Sequence, residues 1–150
     1  MNRFFPEGAL LDTPDNQRLI QSPAALAEAS MEGRVVEARA VLCDAEHNLH
    51  VEMPCMEGII PYMEGAIGIA EGTTRDIALI SRVSKPISFL VQGFEYQPDG
   101  SRRAVLSRRA AQEKCRFEYV ASLRPGDIVP ARITRLETFG AFCDIGCGLP

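Results

Sequence analysis

The sequence has no apolar run approaching the ~18 residues that a membrane-spanning helix needs. Its first segment also meets Glu7 and Asp12 too early for the apolar stretch of a signal peptide. Both absences lead to the expectation of a cytoplasmic protein with no membrane partner. No Cys-x-x-Cys pair exists among the five cysteines, Cys43, Cys55, Cys115, Cys143 and Cys147. Their odd number and irregular spacing point to reduced, mostly buried thiols. A Gly-rich phosphate loop, a Gly-x-Ser-x-Gly turn and a metal-bound-water signature are all missing. Neither histidine can be placed beside a lone cysteine as its base. The expectation is a protein that is not an enzyme and carries neither cofactor nor metal.

What is there suits a folded chain. The 150 residues are 46% hydrophobic and 24% charged, close to the average for globular proteins and enough to bury a core. The net charge of −4 argues against a nucleic-acid partner, but it is unevenly spread. Six bases between Arg102 and Arg116 (Arg102, Arg103, Arg108, Arg109, Lys114, Arg116) face only Glu113. Such a run is either a phosphate-binding patch or a solvated helix face.

An internal repeat organises the chain. Gly33-Arg-Val-Val-Glu-Ala-Arg39 and Gly126-Asp-Ile-Val-Pro-Ala-Arg132 share the pattern Gly-x-[Val/Ile]-Val-x-Ala-Arg and start 93 residues apart. Each alternates with the period of a half-buried strand. Val36, Ala38 and Ala40 take one face and Glu37 and Arg39 the other; in the second copy Val129, Ala131 and Ile133 oppose Pro130 and Arg132. After the first copy a turn at 44–48 leads to Leu49, Val51 and Met53 on one face, which makes a hairpin. A strand over Glu57–Tyr62 is stopped at Pro61. Residues 73–80 fit a capped helix or a strand equally. Another strand runs from Ile87 to Tyr96 with Ile87, Phe89 and Val91 inward, and Arg102–Leu106 returns after a turn at 97–100. Ser107 caps a helix to about Cys115. The first 30 residues read as an arm broken by Pro6, Pro14 and Pro23, with a short helix over Ser22–Ala29.

The predicted fold is therefore mainly β, with three parts. An N-terminal arm spans 1–30; a small five-stranded barrel plus helix spans 31–121; the first hairpin of a second, truncated barrel spans 122–150. A lone hairpin is marginal in water, so the last part is expected to be poorly ordered or to pack on the first barrel.

The second copy carries a resemblance. Gly126-Asp-Ile-Val-Pro-Ala-Arg-Ile-Thr-Arg-Leu-Glu-Thr-Phe-Gly-Ala-Phe-Cys-Asp-Ile-Gly146 resembles the opening of the S1-type RNA-binding domain, whose core reads Phe-Gly-Ala-Phe-x-Asp. The region from Gly33 is a weaker copy that keeps Glu57-Gly-Ile-Ile-Pro61 and Asp99-Gly-x-x-x-x-x-Leu-Ser107. The chain is similar to the N-terminal part of a bacterial ribosomal protein S1 homologue of the clostridial kind. The resemblance implies an oligonucleotide-binding (OB) fold, single-stranded RNA or mRNA as partner, and a link to the ribosome or its proteins. It implies Phe139 and Phe142 as base-stacking rings beside Arg132. In the degenerate first copy His50 takes the place of the second Phe, and Asp99 and Arg103 match the charged residues near the last strand. Arg108 and Arg109 extend the basic face. Stacking suits this chemistry, because every base offers a π-face and every linkage a phosphate. The competing reading is that Phe139 and Phe142 plug a core.

Two rivals follow. The degenerate barrel could dock on protein with little RNA affinity of its own. Alternatively Cys43, His47, His50 and Cys55 could ligate zinc, although their spacing matches no common zinc motif.

Overall fold

A computed structural model describes residues 4–149. Two helices open it, α1 (Pro14–Gln21) and α2 (Pro23–Glu32). Each starts with a capped proline. Thr13 accepts from the Asn16 N–H ahead of Pro14, and Ser22 accepts from Ala25 ahead of Pro23. Gly33 ends α2 in the left-handed region (φ 64°), where its N–H closes on Ala29 and Ser30 carbonyls.

Five strands follow: β1 (Val36–Cys43), β2 (Leu49–Glu52), β3 (Glu57–Ile60), β4 (Pro86–Tyr96) and β5 (Arg102–Ser107). They close into a barrel in the order β1-β2-β3-β5-β4. The β3–β5 contact is the parallel one, and β4 returns antiparallel to β1. The seam at β3–β5 needs Gly58, since a Cβ there would stand 2.5 Å from Leu106 Cδ1. Val36, Ala38, Ala40, Leu49, Val51, Met53, Ile87, Phe89 and Val91 are buried on the inner face, as their alternation predicts. Residues 73–80 resolve into a short helix, α3 (Ile77–Ile80). The helix after β5, α4 (Arg108–Glu118), is capped by Ser107, which accepts from Ala110 at 2.9 Å. Strands β6 (Arg132–Glu137) and β7 (Gly140–Asp144) form a separate two-stranded sheet. No helix among the described residues is long and apolar enough to cross a membrane.

Three expectations need correction. The N-terminal segment is no loose arm. Leu19, Ile20, Leu26 and Ala29 join the barrel core, and Glu7 is buried. Thr13 and Pro14 are a second cap-and-proline start, so two helices stand where one was expected, and the second runs on to Glu32. Glu37 lies on the outer face of β1 but is not exposed, because the segment around Gly8 and Leu10 covers it. Finally, β6 starts at Arg132, so Val129 and Ala131 precede the strand, Ala131 exposed. The equivalent stretch of the first copy, Val36–Arg39, is a strand because β4 pairs with it; among the described residues no strand pairs with 129–131.

The hairpin is docked at its base. Glu7 N–H donates to Asp144 at 2.8 Å, Arg132 donates to the Glu7 carbonyl at 2.6 Å, and Cys147 N–H donates to Phe5. Its tip stands clear, with Leu136 and Phe139 exposed.

Candidate functional site

The two hairpins share one register. In the first, Arg39 pairs with Glu52 and Ala40 with Val51; the register then slips past Val41, and Leu42 pairs with His50. In the second, Arg132 pairs with Asp144 and Ile133 with Cys143; it slips past Thr134, and Arg135 pairs with Phe142. Counted from Gly33 and Gly126, both slips fall at the same repeat position. The bulge is thus part of the repeated unit, and His50 stands where Phe142 stands.

This equivalence assigns the faces of the open hairpin. Cross-strand partners share a face. Ala40 and Val51 point into the barrel, so Ile133 and Cys143 take the inner-type face, with Leu136 and Ala141 alongside. Leu42 and His50 lie outside, so Phe142 lies on the outer-type face with Arg135, Arg132 and Asp144. Phe142 is 42% exposed and Phe139 80%. Their rings meet edge to face, centroids 6.2 Å apart. Arg135 pairs with Glu137, a residue that the sequence reading left out of the site along with Arg135 itself. The i, i+3 count from Arg132 conceals Arg135, because the bulge at Thr134 returns it to the same face.

In the first hairpin the outer position is saturated. His50 Nε2 lies 2.9 Å from Asp44 and Nδ1 3.1 Å from Glu57. Burial works to lower the His50 pKa, but the two carboxylates outweigh it and the net shift is upward. The same contact, with the Asn48 N–H, holds Asp44 down to about 2. Arg103 shares the outer side with His50 two strands away and is paired with Glu95. Asp99 is turned into its own loop, accepting from Ser101 N–H at 2.9 Å. These three residues and the Phe pair therefore occupy different hairpins.

The basic run does not form a continuous patch. Arg108 lies in the interior, where its guanidinium grips both oxygens of Glu7 at 2.8 and 2.9 Å. Arg109 faces Glu64, Glu71 and Glu113. Lys114 caps the Gly33 carbonyl, and Arg102 covers the Phe94 ring at 4.9 Å. Around Glu7, Ser88 donates from its N–H and Arg82 approaches to 3.2 Å. Burial opposes ionisation of Glu7, but the Arg108 and Arg82 charges and these hydrogen bonds hold its carboxyl below the usual range.

His47 faces Asp76 at 3.3 Å, away from His50's two carboxylates. Among the described residues no group of three or more His, Cys, Asp or Glu is arranged to hold a metal ion. No protein-family model matches this chain, and no curated protein matches it.

Proposed function

We propose that this is a non-catalytic, cytoplasmic protein that binds single-stranded RNA through the outer face of its second hairpin. One observation carries the reading. Phe142, Arg132 and Arg135 lie on the face that is external in the closed barrel, while Ile133, Leu136, Ala141 and Cys143 take the face that is internal there. An aromatic ring on an outer sheet face, flanked by cations, offers a base a stacking surface and a linkage a counter-charge. Phe139 at the tip widens that surface. The barrel's strand order supports an OB-type assignment, a fold whose β2–β3 face takes oligonucleotides. The S1-like motif extends the reading to mRNA and to a place on the bacterial ribosome.

A second reading concerns the first barrel alone. Its outer histidine and arginine are already paired with carboxylates, and Arg108 and Arg109 are engaged within the molecule. These pairings, on side chains at most 31% exposed against 71% for Arg135, favour a scaffold or docking role on protein over a second RNA grip.

The test is Phe142→Ala, read by thermal unfolding and by titration of a labelled single-stranded oligoribonucleotide. A stacking ring should cost roughly 1–3 kcal/mol of RNA binding and leave unfolding almost unchanged. A core plug would instead lower stability by roughly 3–5 kcal/mol. Early melting with normal RNA binding in the folded fraction ends the stacking assignment.

A further inference from the structure

We propose that the end of the first barrel around α3 is a docking surface for an acidic, amphipathic segment of a protein partner. The proposal rests on the docking reading of the first barrel and is independent of the RNA reading.

Backbone pairing assembles this end. Ala40 N–H donates to the Lys85 carbonyl and Ser84 N–H to the Ala40 carbonyl, which brings the 80–85 turn against 40–41. The other end of α3 reaches the β1–β2 turn, where Asp76 faces His47 at 3.3 Å. Asp76 also accepts from the Tyr62 hydroxyl, next to Met63. Leu79 turns inward and packs so closely on Gly65 that a Cβ there would stand 2.6 Å from it. Ile77 and Ile80, one helical turn apart, are left outside. Val41, Leu42, Met63, Ile77 and Ile80 are between 42% and 62% exposed. Single exposed apolar side chains need no explanation, but a group of them rimmed by charge marks an interaction site.

The repeat shows that the hairpin itself does not require these side chains. Leu42 pairs with His50 as Arg135 pairs with Phe142, so Leu42 is the counterpart of Arg135 and Val41 of Thr134. Both copies form the same bulge in the same register. It is polar and cationic in the second copy and apolar in the first. A base would find little to stack on here. His50 is held between Asp44 and Glu57, and Tyr62 is half-buried against the His47 ring.

The rim sets the charge of the partner. Arg39, Arg75 and Lys85 are exposed and make no ion pair among the described residues. Arg39 gives its guanidinium to the Ser84 carbonyl, which leaves its charge uncompensated. On α4, by contrast, Arg109 and Lys114 face four carboxylates. Asp44 and Asp76 are committed to His50 and His47, and Glu46 is the exposed acid left at the turn. Three free cations around an apolar patch attract carboxylates interleaved with apolar side chains and repel a basic segment. They fall short of the roughly four to eight that a lipid-binding basic cluster uses.

The test uses the full chain and two fluorescent synthetic peptides of one helical pattern, one with Leu and Glu faces and the other with Leu and Lys faces. Binding is followed by anisotropy. The Leu–Glu peptide should bind, less tightly as salt rises, and the Leu–Lys peptide should not. Leu42→Glu and Ile77→Glu should each weaken binding roughly tenfold or more. Arg75→Glu combined with Lys85→Glu should also weaken it and flatten its salt dependence. Because the altered side chains are exposed, thermal unfolding should stay at the wild-type midpoint in all variants. Affinity for a labelled oligoribonucleotide should be unchanged in Leu42→Glu and Ile77→Glu. Equal binding of both peptides overturns the proposal. Peptide binding that none of these variants alters also overturns it, but leaves the barrel a docking module through another face. Loss of RNA affinity in Leu42→Glu removes the docking reading as well. Two further results give the surface a different occupant and overturn the proposal: tighter binding to vesicles of phosphatidylglycerol and phosphatidylcholine than to the Leu–Glu peptide, or a sedimenting dimer that Leu42→Glu dissolves.

Discussion

The two copies of Gly-x-[Val/Ile]-Val-x-Ala-Arg begin alike and end in different surroundings. Both have the bulge at the same position, and both place their last arginine opposite an acid, Glu52 or Asp144. Each of those arginines also donates to a distant carbonyl, Arg39 to Ser84 and Arg132 to Glu7. Yet Ala40 and Val51 are buried, while the equivalent Ile133 is exposed. The motif fixes register, bulge and face. Burial is supplied by β3, β4 and β5, which enclose the first hairpin and have no described counterpart around the second. Local pattern thus encodes which way a side chain points, and tertiary closure decides whether it meets protein or solvent.

Glu7 is where this comparison breaks most easily, because it joins the two hairpins. Its carboxylate neutralises Arg108 beneath the barrel, and its backbone holds Asp144 and Arg132 of the second hairpin. Glu7→Ala leaves a guanidinium buried without its partner, at a cost of roughly 3–5 kcal/mol. Urea unfolding measures the loss. Protection of β6–β7 amides should fall with that of the barrel; if the hairpin alone loosens, the ion pair is not what ties the two together.

Glu37 sharpens the comparison through pH. The second copy has Pro130 at the equivalent position, so only the first carries a titrating group there. Burial pushes the Glu37 carboxyl up to about 7 from 4.5, against hydrogen bonds from Leu10 and Gly8 and with help from Glu7. A raised carboxyl is protonated more readily when folded. Its stabilisation is complete below about pH 4.5 and is lost as pH climbs through about 7. The loss is on the order of 1–3 kcal/mol. Glu7, whose pKa is lowered, acts in the opposite sense and loses its contribution as pH falls below 4.5. Glu37→Gln keeps an oxygen for the Gly8 and Leu10 donors and should flatten the slope between those limits. A slope that survives the substitution would assign the effect to another group.

The barrel was legible in the sequence because its strands alternate cleanly, and Ile87, Phe89 and Val91 needed no tertiary knowledge to be placed. The fate of the basic run was not. Arg108 and Arg109 are adjacent and chemically identical, yet one enters the interior and the other meets three surface acids. Helical geometry separates their directions by about 100°. The partner that draws Arg108 inward, Glu7, lies 101 residues earlier in a segment that reads as an arm. Arg135 escaped notice for a related reason: only strand pairing reveals the bulge that sets it beside Phe142.

Salt dependence carries the last and smallest prediction. The sequence alone suggests six cations gripping phosphates from Arg102 to Arg116, and with them a steep loss of RNA affinity in salt. Single-strand binding scales as roughly −0.7 per neutralised phosphate in log K against log salt, so six contacts would give a slope near −4. The second-hairpin site offers Arg132 and Arg135, and their use predicts a slope of only about −1.4. Reversing Arg109 to Glu should then change affinity little, because that side chain already faces Glu64, Glu71 and Glu113. Reversing Arg135 should weaken binding to every single-stranded sequence alike and flatten the slope by about 0.7. Affinity titrations from low to physiological salt on these two variants separate the faces. A steep slope that collapses with Arg109→Glu would move the RNA from the open hairpin to α4, and the two copies would then differ in closure but not in use.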